Sequence, residues 1–230
     1  MAYILNDPTI FGTKLSPFDV YYLSADVFDA DFLAVKWLQN MDLVRNELVD
    51  FVASVDNLKC LQYLHNKGCS WDWRTCRLAA ANGHLACLIY LHEEGCPWYE
   101  QTCYAAAYNG YLDCLKYAHK EGCEWNKWST KAAAQNGHLE CLIYLHEEGC
   151  EWDKVTCSAA ATGGQLECLR YLHENGCEWS RWTFYWAAVN GHLECLKYAI
   201  ENGCPRYEDI NPHVKDPTIL TFLADLYPMG

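Results

Sequence analysis

Residues 136–150 read NGHLECLIYLHEEGC, and residues 82–96 read NGHLACLIYLHEEGC, one letter apart. A looser copy, NGHLECLKYAIENGC, begins at Asn190. Set out every 27 residues, Gly83, Gly110, Gly137, Gly164 and Gly191 share a column. So do Leu61, Leu88, Leu115, Leu142, Leu169 and Leu196, and the tyrosines Tyr63, Tyr90, Tyr117, Tyr144, Tyr171 and Tyr198. Trp71, Trp98, Trp125, Trp152 and Trp179 make a fourth column. A fixed period in this range marks an array in which no unit buries its apolar face alone and each covers its neighbour.

Each unit reads as two short helices. Between Cys150 and Gly176, the stretch TCSAAAT opens a helix at Val155 or Thr156, and the paired Ala160 and Ala161 allow close helix approach. Gly163 and Gly164 break it. A second helix runs over QLECLRYLHEN, with Leu166, Leu169 and Leu172 three apart beside Cys168. Gly176 stops it, since glycine tolerates the left-handed conformation at a helix end. No stretch of the repeat alternates as a strand does. The expected fold is all-α, an elongated helix-turn-helix solenoid.

The stretch AAVNGHLECLKYAIENGC and its copies resemble the core of the ankyrin repeat, with Cys at the first of the family's paired valine positions and at the alanine after the final glycine. The family unit is about 33 residues long, so the resemblance implies a trimmed β-hairpin finger, with a Trp where the hairpin would start. Short Cys- and Trp-rich units of this kind are similar to those of large DNA viruses of amoebae. The resulting division is an N-terminal cap with a degenerate repeat over 1–41, six ankyrin-like repeats over 42–203, and a C-terminal cap over 204–230, where DPTILTFLADLY supplies a last helix. DFLAVKWLQN reads as a second helix of a weaker first unit, and LSPFDVYYLSADVF has the apolar rhythm of an F-box without its Leu-Pro opening.

Charge narrows the function. The formal charge is −13, from 17 basic and 30 acidic residues. No clustered basic run is visible, which argues against direct nucleic-acid binding. An acidic surface also argues against anionic lipid. No apolar run approaches the roughly 18 residues of a membrane helix, and the N-terminus lacks the pattern of a secretory signal. The expected place is cytoplasm or nucleus. Charged, proline-bearing ends point to a monomer or weak oligomer rather than a polymer.

All 15 cysteines fall into three columns, those of Cys60, Cys69 and Cys76. Spacings of five and four through Cys168, His173 and Cys177 are not the close pairs of a zinc site. On one helix Cys168 and Cys177 stand about 13 Å apart by axial rise, too far for a shared metal or a disulfide. Small buried hydrophobes in a reducing compartment are the expectation. His84, His138 and His192 follow the turn glycine, a position that in ankyrin folds bonds backbone across the turn. His65, His92, His119, His146 and His173 close the second helix, where a partly charged imidazole suits the dipole. No nucleophile, base or phosphate-binding loop stands at fixed spacing, so no catalytic residue, metal or cofactor is assigned.

Recognition belongs in the columns that vary. The pairs opening each unit are Trp73 and Arg74, Glu100 and Gln101, Lys127 and Trp128, Lys154 and Val155, Arg181 and Trp182. One first-helix column reads Arg77, Tyr104, Lys131, Ser158, Tyr185, and one turn later another contains Tyr108 and Gln135. Trp, Tyr and Arg carry most interface energy. The candidate partner-binding set is therefore Trp73, Arg74, Arg77, Gln101, Tyr104, Tyr108, Lys127, Trp128, Lys131, Gln135, Lys154, Arg181, Trp182 and Tyr185, on linkers and the concave face. The expected function is a non-catalytic protein–protein scaffold or adaptor, and the resemblance to viral repeats implies a factor directed at a host protein. Self-assembling and cysteine-rich metal-binding proteins are the alternatives.

Overall fold

The computed structural model describes residues 45–208, 210 and 213–227, which hold thirteen helices and no strand. The expected cap over 1–41, with its F-box-like stretch, lies outside the described residues. Six helix pairs follow one another: α1 (Arg45–Ser54) with α2 (Leu58–Asn66), α3 (Trp73–Ala81) with α4 (Leu85–Glu93), and α5 (Glu100–Asn109) with α6 (Leu112–Lys120). They continue as α7 (Lys127–Asn136) with α8 (Leu139–Glu147), α9 (Lys154–Thr162) with α10 (Leu166–Glu174), and α11 (Arg181–Val189) with α12 (Leu193–Glu201). A lone α13 (Pro217–Leu226) closes the described chain.

In three units a linker side chain caps the first helix and fixes where it starts. The Asp72, Asn126 and Asp153 side chains accept the N–H of Arg74, Trp128 and Val155 at 2.8–2.9 Å. An Asp or Asn in extended backbone at this position satisfies a donor that the helix start would otherwise leave unpaired. At α9, Thr156 reaches back to complete a capping box with Asp153. Helix α9 therefore begins at Lys154 rather than Val155.

Packing sets the curvature. The Ala pairs of the first helices, such as Ala133 with Ala134 and Ala160 with Ala161, are fully buried. With only methyl groups between them, neighbouring first helices pack far more extensively on one another than neighbouring second helices do. Leu and Cys from the second helices fill the space between the two rows, as Cys168, Leu169 and Leu172 do on α10. A stack tight on one side and looser on the other bends toward the tight side, so the first helices line the inner face.

Two turn glycines show why that column does not vary. Gly110 and Gly164 adopt φ of 80° and 71°, open to glycine at little steric cost. The His138 and His192 rings of the next unit also occupy the space a Cβ would fill. The column thus answers to a neighbour as well as to its own turn.

Candidate protein-interaction face

All fourteen candidate residues are at least partly exposed, and they stand on the inner row of helices. One placement differs from expectation. Trp73, Arg74, Gln101, Lys127, Trp128, Lys154, Arg181 and Trp182 lie not in linkers but in the first turns of α3, α5, α7, α9 and α11. Side-chain caps fix the starts of α3, α7 and α9, while α5 and α11 start after Tyr99 and Ser180 without one. Ser158, in the varying column, is instead buried and bonds Ser180 Oγ at 2.9 Å.

The candidates are not equivalent. Arg74 is tied to the Asp72 carboxylate at 2.8 Å, and this pairing holds that carboxyl below its usual range. Lys127 reaches Asp153 of the next unit at 3.1 Å. Lys131 lies over the Trp128 ring at 4.9 Å from its centroid, and Arg181 over Trp182 at 5.7 Å and Tyr207 at 5.9 Å. Trp182, Tyr185 and Tyr207 form one aromatic cluster, with centroids 4.9–5.5 Å apart, and Trp186 joins Tyr185 at 4.9 Å. Tyr104 and Tyr108 pair at 5.9 Å. Trp128 is 52% exposed and Tyr108 45%, so packing does not account for them.

Where a hairpin finger would stand, the linkers leave open grooves. One, of about 600 Å³, runs between Trp73, Trp98, Gln101 and Glu124, and one of about 400 Å³ between Trp152, Lys154 and Glu178. Both face solvent.

The opposite row holds a device that reading within one unit misses. Each second-helix His packs on the Trp that follows it, tilted by 40° at His65 and stacked at the other four, and shares a hydrogen bond with the Tyr of the next unit. His146 lies 3.8 Å from Trp152 and its Nδ1 is 2.8 Å from the Tyr171 hydroxyl. The same triad recurs from His65, His92, His119 and His173, with His–Tyr distances of 2.8–3.0 Å. Trp meets the same Tyr edge-on at 6.0–6.2 Å. These histidines therefore join units rather than serve only the helix dipole. The other column also reaches across: His84 and His192 Nε2 lie 3.0 Å from the carbonyls of Ser54 and Thr162, thirty residues back.

The cysteines are all unlinked and buried. Cys157 of one column sits 2.7 Å from Cys177 of another, twenty residues on. The two columns meet because the start of the first helix packs under the linker of the next unit. Cys157 is pushed well up by its bond to Cys177 and by burial, while the same bond pulls Cys177 down. The middle column also donates to helix-start carbonyls, as Cys123 does to Tyr99 at 3.1 Å. Among the described residues no group of three or more His, Cys, Asp or Glu is placed to hold a metal. No helix there is long and apolar enough to cross a membrane.

Comparison with known proteins fits this geometry. Residues 130–216 match a model of ankyrin repeats in three copies, and residues 103–146 match a second ankyrin-repeat model. Residues 103–216 are an ankyrin-repeat array. The crystal structure of the human ASB11 ankyrin repeat domain is similar to this chain in fold. It has a TM-score of 0.64 and 18% identity, and the match covers 79% of this chain and 99% of that one. No curated protein matches the sequence. Ankyrin repeats are protein-interaction scaffolds, and no enzyme family matches among these comparisons.

Proposed function

We propose that this ankyrin array is a non-catalytic adaptor whose inner row of helices binds a partner protein. One observation carries the reading. The residues that repeat are buried or bonded between units, whereas Trp128, Trp182 and Tyr108 keep 52%, 42% and 45% of their surface exposed on the inner face. Exposed aromatics beside cations are the composition of interface hot spots. Rigid helices hold them in place, so little ordering entropy is lost on binding. The resemblance of these short Cys- and Trp-rich units to those of amoebal viruses extends the proposal to a host-directed role in cytosol or nucleus, with the array acting as a monomer or weak oligomer.

The test is an affinity capture from cell lysate with the full chain and with a variant carrying Trp128→Ala, Trp182→Ala and Tyr185→Ala, both checked for helicity. Retention of a partner by the first and its loss by the folded second is the expected result. Equal capture by both rejects the inner face as the binding site.

A further inference from the structure

Charge is unevenly divided between the two rows. Helices α7, α9 and α11 carry Lys127, Lys131, Lys154 and Arg181 and not one acidic residue. With 30 acidic residues among 230, composition alone would place about three or four there. The second row tends the other way: α8, α10 and α12 hold Glu140, Glu147, Glu167, Glu174, Glu194 and Glu201 against Arg170 and Lys197. A chain of net charge −13 thus keeps one stretch of its inner face positive.

Not every cation there is available. Lys127 is neutralised by Asp153, which is also a helix cap. Lys131, Lys154 and Arg181 have no ion-pair partner among the described residues, and two of them lie over tryptophan rings. Each ring fixes its cation beside an exposed apolar surface. The arrangement suits a ligand that alternates negative and apolar groups.

We propose that this stretch binds an extended acidic segment of the partner, with carboxylates against Lys131, Lys154 and Arg181 and apolar side chains on Trp128 and the Trp182–Tyr185–Tyr207 cluster. The proposal rests on the adaptor reading and names the chemistry of its ligand. From Trp128 to Tyr207 the face crosses about three helix-to-helix steps of about 8–10 Å, or roughly 25–30 Å. An extended peptide covers that with about eight or nine residues. Single-stranded nucleic acid also likes cations with aromatics. It carries a charge on every unit, however, and a long strand runs beyond three cations onto an acidic surface. A short acidic peptide ends where the positive stretch ends.

The experiment selects random dodecapeptides displayed on phage against the immobilised full chain. Selected peptides are then measured in solution by fluorescence anisotropy. Enrichment in Asp and Glu is expected. So is weakening between about 0.1 M and about 1 M salt, where the screening length falls from about 10 Å to about 3 Å. A Lys131→Gln, Lys154→Gln, Arg181→Gln variant should bind about tenfold more weakly or worse. Uncharged selected peptides that need Trp128 and Trp182 but ignore these substitutions would overturn the acidic ligand and leave the adaptor reading standing. Displacement of the peptides by an oligothymidylate strand at comparable concentration would overturn it in favour of nucleic acid. Selection of no peptide at all rejects a linear segment as the occupant.

Discussion

Removing the five tyrosine hydroxyls that bridge the units tests how this array is held together. The perturbation is Tyr→Phe at Tyr90, Tyr117, Tyr144, Tyr171 and Tyr198, which keeps every ring and deletes only the bond to the His Nδ1 of the preceding unit. Each bond is 2.8–3.0 Å long and part-buried. The orphaned imidazole keeps some access to water, so the loss is the net value of a neutral hydrogen bond, about 1 kcal/mol, rather than a full desolvation penalty. Adjacent rungs lie about one helix spacing apart and share no bond, so the five losses add to about 5 kcal/mol. That is a large part of the roughly 5–15 kcal/mol that stabilises a folded domain. With a urea slope of about 2.5 kcal/mol/M, the midpoint falls by about 0.4 M for one substitution and about 2 M for all five. The assay is urea unfolding followed by far-ultraviolet circular dichroism, with Tyr108→Phe on the exposed inner face as a control expected to change nothing. A fivefold variant whose midpoint drops by less than about 0.5 M would refute the bridging role and leave the column to ring packing alone.

Other consequences follow from the buried groups. Burial pushes the thiols of Cys87, Cys114, Cys141, Cys150 and Cys168 up to about 12 from 9.0. A raised acid favours the folded state below the unfolded pKa, so stability holds to about pH 9. It is then lost as pH climbs toward 12, by up to about 1.4 kcal/mol per unit for each thiol; a urea midpoint unchanged between pH 8 and pH 11 contradicts this. Gly163→Asn installs the residue found at Asn82, Asn109, Asn136 and Asn190, yet its Cβ would run into the Gln135 carbonyl. Thermal melting should show a loss of about 1–3 kcal/mol, as overpacking against backbone costs, and an unchanged or raised melting temperature sinks the idea. Mild oxidation with a dipyridyl disulfide should link Cys157 to Cys177, releasing two thiopyridones per link. Peptide mapping that finds other pairs first, or none, rejects their proximity.

The repeat, its two helices and its buried leucines are legible in the sequence because they depend on spacing within one unit. Leu169 and Leu172 must lie on one face of a helix, and nothing beyond that helix is needed to see it. Helix starts are less legible: α9 begins at Lys154 because of the Asp153 side chain, not because of an apolar rhythm. A cap from Asn126 likewise places Trp128 in a helical first turn, and Trp182 also stands in one, though without a side-chain cap, so a loose set of candidates becomes a rigid strip.

What the sequence hides is contact between units, since it depends on how one unit sits over the next. His146 meets Tyr171 twenty-five residues on, and Cys157 meets Cys177 twenty residues on, neither being the period itself. Each offset is the period shortened by the few residues that separate two columns. A constant column is therefore ambiguous until its partner column is known. The His, Trp and Tyr columns are constant together because each rung needs all three, and losing one leaves the others less reason to stay. The inner face has no such closure: Lys131 and Trp128 touch each other but nothing in the next unit requires them. Their freedom from the lattice of the array is what makes a positive strip on an acidic protein a statement about a ligand rather than about folding.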